Sequence, residues 1–481
     1  MIKLFFVLIL ISFFVKGYAQ KKYTLKQCVE MAMQNNATVK AAALDALQVE
    51  LTFKQLDLAK YPNANAFVSN GLNFGRSINP TTNSFENNTI FFNSFGVQGG
   101  VDIFNWFSKK IQRQAAKVDV DAAKINIAKA GEDIALNVAV AYIQILLAKE
   151  QIKQIGIQIE QRQRQINITQ KKVNAGVLPE INLLEFKTNL ATDSAQYFNA
   201  EATIATSLLR MQTLINISAS QPFDVEGVNA NKIPVESLAN LNPQTVYQLA
   251  LKNLTQQRLN EVRYKAQELR IASLKKAFYP TVSASSSFGT NYASNSFRLP
   301  NFTTTNVYNI TPLKVNVGGA DYFIQQPTQS ISGYRTIKAP AYFNQFTQNF
   351  RQSVSVSLNI PIFNGGINKI NVARAQLNLQ NITFAKQQDN LKLEQDIYKA
   401  YNEAKNAQVQ YNAAANTTNL AERTFNLASK RYELGLINNF DLSIAQNNLF
   451  ASQLKQLYNQ YDYVFKIKLL EFYKGEGIKI E

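Results

Sequence analysis

Side chains able to carry covalent or metal chemistry are scarce in this sequence. It has no His and one Cys, Cys28, which removes the usual zinc and copper ligand sets, the Ser/His and Cys/His nucleophile pairs and any intrachain disulfide framework. The 33 Asp and Glu residues show no pocket pattern, and no glycine-rich phosphate loop occurs. No enzymatic activity, cofactor or metal is therefore expected. Cys28 follows Thr24-Leu25-Lys26-Gln27, without the small residue that precedes a lipidated cysteine, and falls in a helical pattern; it reads as a semi-buried thiol. The formal charge of +17 would suit phosphate binding. The Lys and Arg are scattered singly among Gln, Asn and Ala, however, which describes a solvated helical surface, and no nucleic acid is expected as a partner.

The elements that must position these residues are set by where chain breakers fall. Met1 to Lys3 is a short basic start, Leu4 to Val15 is a largely apolar run of 12, and Gly17-Tyr18-Ala19 is a small-x-small site. Residues 1–19 thus read as a cleaved signal peptide, too short to span a bilayer. No later run of 18 apolar residues occurs. Between Pro80 and Pro179 there is no proline, and after Pro361 there is none to the end. Two stretches of roughly 70 residues lack breakers, which permits very long helices. Ile370, Ala373 and Leu377, and later Leu454, Leu457, Tyr461 and Val464, follow the 3/4 step of a coiled-coil seam.

The chain also repeats itself. Ala32, Asn35 and Tyr61-Pro62 recur as Ala250, Asn253 and Tyr279-Pro280, an offset of 218. Ile103-Phe104-Asn105, Ala141-Tyr142, Gly176 and Asn189-Leu190 recur as Ile362-Phe363-Asn364, Ala400-Tyr401, Gly435 and Asn448-Leu449, an offset of 259. This is a duplicated half-chain unit whose second copy carries 41 extra residues between Pro280 and Phe363. Each unit reads as helix, strand, loop, strand, long helix, turn, helix. The first helix is expected at about 25–60 and again at about 245–278. Strands are read from period-two alternation. Phe91, Phe95, Val97, Val101 and Ile103 oppose Ser94, Gln98 and Asp102; Val354, Val356, Leu358, Ile360 and Ile362 oppose Ser353, Ser355, Ser357 and Asn359. Weaker partners lie around 63–75 and 281–291.

Strands of that length in an exported chain suit an ordinary sandwich or an outer-membrane barrel. Tyr61, Phe104, Trp106, Phe107, Tyr279 and Phe363 gather at strand ends, as in a membrane-interface girdle, although aromatics also build cores. Four strands cannot close a barrel, and open edges are intolerable in lipid, so strands from several subunits must combine. Phe104 to Gly176 and Phe363 to Gly435 are each 72 residues, enough for helices of about 100 Å. Equal arms put both turns at one height, at the far tip of a conduit across the periplasm.

Arg431-Tyr432-Glu433-Leu434-Gly435 followed by Phe440-Asp441-Leu442 and Ala445-Gln446 resembles the tip signature of the TolC-like outer-membrane efflux proteins. Thr24-Leu25 through Ala32 and Asn35-Asn36 resembles that family's opening helix. The resemblance covers essentially the whole mature chain and implies a mostly α fold with a β-barrel. A homotrimer would build a long coiled-coil α-helical barrel and a 12-stranded transmembrane β-barrel, four strands per chain. The implied organisation is a first repeat at 20–216, an equatorial linker at 217–242, a second repeat at 243–473 with an extended extracellular loop at about 289–351, and a C-terminal tail at 474–481. It implies an outer-membrane location extending into the periplasm. The implied partners are further copies of the chain, outer-membrane lipid, a periplasmic adaptor (membrane fusion) protein and an inner-membrane transporter.

The resemblance places adaptor docking at the tip: Gly176, Val177, Leu178, Pro179, Arg431, Tyr432, Gly435, Leu436 and Ile437. Glycine there can equally serve only to end a helix. The same resemblance puts a periplasmic entrance constriction at Asp441, a carboxylate ring when three copies meet. Asn182 is its counterpart in the first repeat, with Glu180 or Glu185 partly substituting. Asp441 at a helix start also suits a cap. The extra residues should enlarge a loop that narrows or covers the outer mouth, with a turn at Gly318-Gly319. The competing class is an exported trimeric coiled-coil stalk or adhesin without a pore.

Overall fold

The computed structural model describes residues 22–78, 85–87, 89–294 and 297–477; the expected signal peptide lies outside them. The chain divides into two compact units, one of residues 1–54, 112–271 and 372–481, the other of residues 55–111 and 272–371.

The first unit is helical. Its helices are α1 (Leu25–Asn35), α2 (Ala37–Leu58), α3 (Ser108–Asn174), α4 (Glu180–Ile215), α5 (Pro243–Asn253), α6 (Thr255–Lys275), α8 (Ile367–Glu433) and α9 (Asn439–Lys474), some of which run on into the second unit. The long arms α3 and α8 are each 67 residues, about 100 Å at 1.5 Å per residue, and α4 and α9 are each 36. Thr24 starts α1 with a capping box in which its side chain and Gln27 satisfy one another's backbone N–H groups.

The opening helix expected at 25–60 is broken at Asn36, and the one expected at 245–278 is broken at Leu254. Both residues turn to extended backbone, with ψ of 133°. They are equivalents at the offset of 218. At Asn36 the cause is visible: its Oδ1 accepts from Thr38 N at 2.8 Å and its Nδ2 donates to Leu214 O at 2.8 Å, so this side chain begins a new helix rather than continuing the old one.

A belt ties these helices together. β1 (Lys22–Tyr23) pairs in parallel with β6 (Asp224–Val225), and Lys149 on α3 bonds both the Asp224 carboxylate and Val225 O. Under the belt lies a core of Leu25, Cys28, Ala32, Ile134, Val138, Tyr142, Ile145, Met211, Ile215 and Tyr461 among others. Cys28 is wholly buried rather than semi-buried, and burial pushes its thiol up to about 12. One stretch of α3 is apolar enough by composition to cross a membrane. The apolar residues 134–146 of this helix pack into the belt core instead. A second core, around Leu241, Val246, Ala250, Ile397, Ala404, Ile467 and Leu470, joins α5, α8 and α9. Glu236 anchors the linker to α9: its N–H donates to Glu471 Oε1 at 2.9 Å and its carboxylate accepts from Lys474 Nζ at 3.1 Å.

The second unit holds an antiparallel sheet of β2 (Asn63–Asn73), β5 (Ile90–Phe104), β7 (Thr281–Ala293) and β10 (Arg351–Asn359), in the order β10-β7-β5-β2. Short β3 (Arg76–Ile78) and β4 (Phe85–Asn87) pair between β2 and β5. The extra residues of the second repeat form a two-stranded ribbon, β8 (Phe297–Val317) with β9 (Ala320–Ile337), followed by helix α7 (Tyr342–Gln348). Strand β7 runs to Ala293, so the connection begins after it and not at 289. Gly318 and Gly319, with φ of 64° and 89°, make the ribbon's turn.

Candidate functional site

Two features stand out as sites, the turns that end the long arms and the two faces of the four-stranded sheet. At the turns, Gly176 and Gly435 adopt φ of 68° and 73°, conformations that suit glycine. Gly176 N donates to Val173 O and Val177 N to Lys172 O, both at 2.9 Å; Gly435 N donates to Tyr432 O at 3.0 Å and Leu436 N to Arg431 O at 2.8 Å. Each arm thus ends in a Schellman motif that satisfies its last carbonyls. Pro179 begins α4, while Asn438 begins α9 with its Oδ1 accepting from Asp441 N at 2.8 Å.

That bond decides how Asp441 sits. Asn438 is the cap, not Asp441, whose side chain is exposed in the first turn of α9, where the helix dipole favours a carboxylate. Glu180 is likewise exposed in the first turn of α4. The other two residues expected at the constriction hold helices together: Asn439 Nδ2 donates to Asn182 O at 3.1 Å and to Glu185 Oε2 at 2.8 Å. Around them a cleft of about 360 Å³ separates α4 from α9, lined by Ile181, Leu184, Glu185, Phe440, Ser443 and Ile444 among others.

The tip has its own core of Ile166, Leu183, Phe186 and Leu442, with Val173, Leu190, Phe425, Tyr432 and Ile437 packed against it. Of the residues expected to dock an adaptor, Tyr432 and Ile437 turn into this core, and Lys172 Nζ lies 5.4 Å from the centre of the Tyr432 ring. Leu178 is half-buried, while Val177, Pro179, Arg431 and Leu436 are exposed. Leu434 and Phe440 add exposed apolar surface that sequence reading did not place in the site, although both stood inside its tip signature.

A second tip feature was missed altogether. Arg162 on α3 is fully buried. Its Nε donates to Asp193 Oδ2 on α4 at 3.1 Å, its Nη1 to Gln446 Oε1 and its Nη2 to Asn447 Oδ1 on α9, both at 2.9 Å. An Arg among scattered basic residues carries no sequence sign of burial.

The sheet is amphipathic through all four strands. Register places Ala64, Ala66, Val68 and Leu72 of β2 on the same face as Phe91, Phe95, Val97 and Val101 of β5, Val282, Ala284 and Phe288 of β7, and Val354, Val356 and Leu358 of β10. The other face carries Asn63, Asn65, Ser94, Gln98, Asp102, Ser283, Ser285, Ser287, Ser353, Ser355 and Ser357, with the Ser285 and Ser355 hydroxyls 2.7 Å apart, and it is interrupted in β2 and β5 by Phe67, Ile90 and Phe92. Ile103 departs from its expected place: a register shift lies between Asp102 and Phe104, and Phe104, not Ile103, stands opposite Val282.

Four of the six strand-end aromatics cluster. Trp106 packs on Phe104 and Tyr279, with ring centres 5.3 and 5.2 Å apart, and Phe107 lies 5.6 Å from Phe104. Tyr61 and Phe363 are exposed. Trp106 and Phe107 both take left-handed backbone, with φ of 51° and 64°; their equivalents at the offset of 259 are Gly365 and Gly366, with φ of 66° and 81°.

Solved structures share this fold. CusC superposes with a TM-score of 0.72 at 17 % identity, covering 95 % of both chains. CmeC of Campylobacter jejuni gives 0.68 at 17 % identity, covering 95 % of this chain and 86 % of that one. VceC of Vibrio cholerae gives 0.67 at 14 % identity, covering 95 % and 97 %. Among curated proteins none matches the chain in sequence. The family described as outer membrane efflux protein matches residues 28–216 and 246–471, taking in nearly all of both repeats and leaving out the termini and the linker. By that match, the chain belongs to the outer membrane efflux protein family.

Proposed function

We propose that three copies of this chain form one outer-membrane channel that passively conducts solutes delivered by an inner-membrane transporter through a periplasmic adaptor. The observation that carries this reading is the four-stranded sheet, with one face mainly apolar, the other mainly polar apart from Phe67, Ile90 and Phe92, and both edges, β2 and β10, open. In hydrocarbon each unsatisfied backbone group costs several kcal/mol, so a spanning sheet must close. Two copies would give eight strands, a barrel whose interior side chains fill; three give twelve, with room for an aqueous lumen lined by the Ser, Asn and Gln face.

The helical repeats serve as the periplasmic part, and export after signal-peptide cleavage puts the protein in the outer membrane. CmeC, with the same fold, is an outer-membrane channel, which supports the assignment. The turns at Gly176 and Gly435, with exposed Val177, Leu434 and Leu436, take the adaptor. Exposed Asp441 and Glu180 carboxylates line the periplasmic entrance and favour cations. The strand-end aromatics, Trp106 foremost, sit at the membrane interface.

Purified protein in planar bilayers tests the proposal. Three copies per particle by light scattering and stable single-channel conductance are expected; three copies without conductance would identify a stalk.

A further inference from the structure

Among the described residues, the ribbon β8–β9 is the one strand pair outside the four-stranded sheet long enough to need a partner of its own. Each of its strands packs chiefly against the other, and a two-stranded ribbon in water is at best marginally stable. Its distal end is amphipathic. Val315 stands opposite Tyr322 and Val317 opposite Ala320, so these residues and Ile324, two beyond Tyr322, share one face. Val315, Val317, Tyr322 and Ile324 are 41–60 % exposed, and no charged residue stands among them. The reverse face carries charge, and its polar groups satisfy one another around a half-exposed Phe323: Lys314 Nζ lies 3.8 Å from Asp321 Oδ2 and 4.9 Å from the Phe323 ring centre, and Asn316 Nδ2 donates to Asp321 Oδ1 at 2.9 Å.

We infer that this apolar face packs against the same ribbon of neighbouring copies, so that the ribbons associate with one another beyond the barrel. The inference rests on the trimeric reading above. In the chain the ribbon lies between β7 and β10, and β10 is an open edge of the sheet. In a barrel closed by several copies that edge meets the next chain, so the ribbon springs from the strand beside the subunit boundary. An uncharged apolar face also fits an identical face without complementary charge, and rotational symmetry supplies such a face from every copy. A surface partner that bound only one ribbon would leave the others uncovered.

Variants of the full chain with one added cysteine test this, because the native Cys28 is buried and stays silent. Val315→Cys and Tyr322→Cys on the apolar face are compared with Asn316→Cys on the reverse face, each treated with a short bismaleimide in detergent particles of mass measured by light scattering. The expected result is three copies per particle and at least tenfold more chain-to-chain product from Val315→Cys and Tyr322→Cys than from Asn316→Cys. Three copies with no preference between faces would overturn the inference and leave the trimeric reading standing; single-copy particles would overturn both. Adducts in intact cells only to other proteins would overturn self-packing. As a second measurement, Val315→Asp with Tyr322→Asp should keep three copies while trypsin cuts after Lys314 at least tenfold faster; unchanged cleavage would overturn the inference as well.

Discussion

The left-handed pair Trp106-Phe107 makes a quantitative test of what the strand-end aromatics do. In the second repeat the same turn is made by Gly365-Gly366, so the geometry needs no aromatic. Left-handed backbone costs a residue with a Cβ roughly 1–2 kcal/mol, which Phe107→Gly or Trp106→Gly would remove, against about 0.5–1 kcal/mol of glycine's added chain entropy. The ring contacts decide the net sign. Phe107 is 57 % exposed and has one ring neighbour, Phe104, worth about 0.5–1.5 kcal/mol; with about 2 kcal/mol for the buried part of its ring, Phe107→Gly should destabilise by about 2 kcal/mol. Trp106 is 39 % exposed and has two ring neighbours, Phe104 and Tyr279. Losing those pairs and the buried part of a ring of about 200 Å² costs roughly 4–5 kcal/mol, so Trp106→Gly should destabilise by about 3 kcal/mol. Urea unfolding from lipid vesicles measures both, read by Trp106 emission for Phe107→Gly and by electrophoretic band shift for Trp106→Gly. Trp106 is the single Trp, so its quenching by brominated acyl chains reports its depth directly. A neutral or stabilising Trp106→Gly would refute the ring-cluster account, and emission unaffected by brominated lipid would refute the interfacial placement.

Arg162→Met leaves Asp193 buried without its partner and should cost about 3–5 kcal/mol, whereas Arg162→Met with Asp193→Leu should recover most of it; thermal unfolding of the assembled protein distinguishes the two. Gly176→Ala and Gly435→Ala each force a Cβ into left-handed backbone and should loosen the tip by roughly 1–2 kcal/mol, visible as faster hydrogen exchange over the last turns of α3 and α8 with conductance unchanged. Asp441→Asn removes an exposed carboxylate and should weaken block of the channel by multivalent cations; identical block would remove Asp441 from the entrance. Cys28 should resist thiol reagents at pH 8 until the protein unfolds. Burial raises its thiol from 9.0 to about 12, so its contribution to stability is complete below pH 9 and is lost as pH rises towards 12. Cys28→Ala should flatten that loss in alkaline unfolding curves.

Much of the architecture was legible because it is written in periodicity and in breakers. The two arms follow from proline-free stretches, β5 and β10 from apolar–polar alternation, β2 and β7 more weakly as their partners, and the tip turns from isolated Gly176 and Gly435. What escaped reading depends on contacts distant in sequence. The break at Asn36 depends on Leu214 O, 178 residues away, and the burial of Arg162 on Asp193, Gln446 and Asn447. The register shift at Ile103 is set by its neighbour β7, which local alternation cannot sense. At the tip, the choice between capping and an exposed carboxylate at Asp441 turns on Asn438, three residues upstream, where Asn and Asp are both good cap residues and local sequence alone does not say which one starts the helix.

Comparing the repeats separates scaffold from specialisation. Arms of 67 residues and paired turn glycines are the same in both copies, as closure of the tip at one height demands. The copies differ at the turn Trp106-Phe107 against Gly365-Gly366, at Pro179 against Asn438, at Asn182 against Asp441, at Arg162 against Ala421, and at the inserted ribbon. Duplication began with equal copies, so each difference was free to drift towards the cheaper residue. The first repeat instead keeps two aromatics in left-handed backbone where the second has glycine, and a buried Arg where the second has Ala. At Trp106 and Arg162 the contacts of the first repeat, ring pairs in one case and a buried ion pair in the other, offset a cost that the second repeat never incurs. These positions, more than the shared arms, are therefore where the two copies of the unit have come to be held together by different contacts.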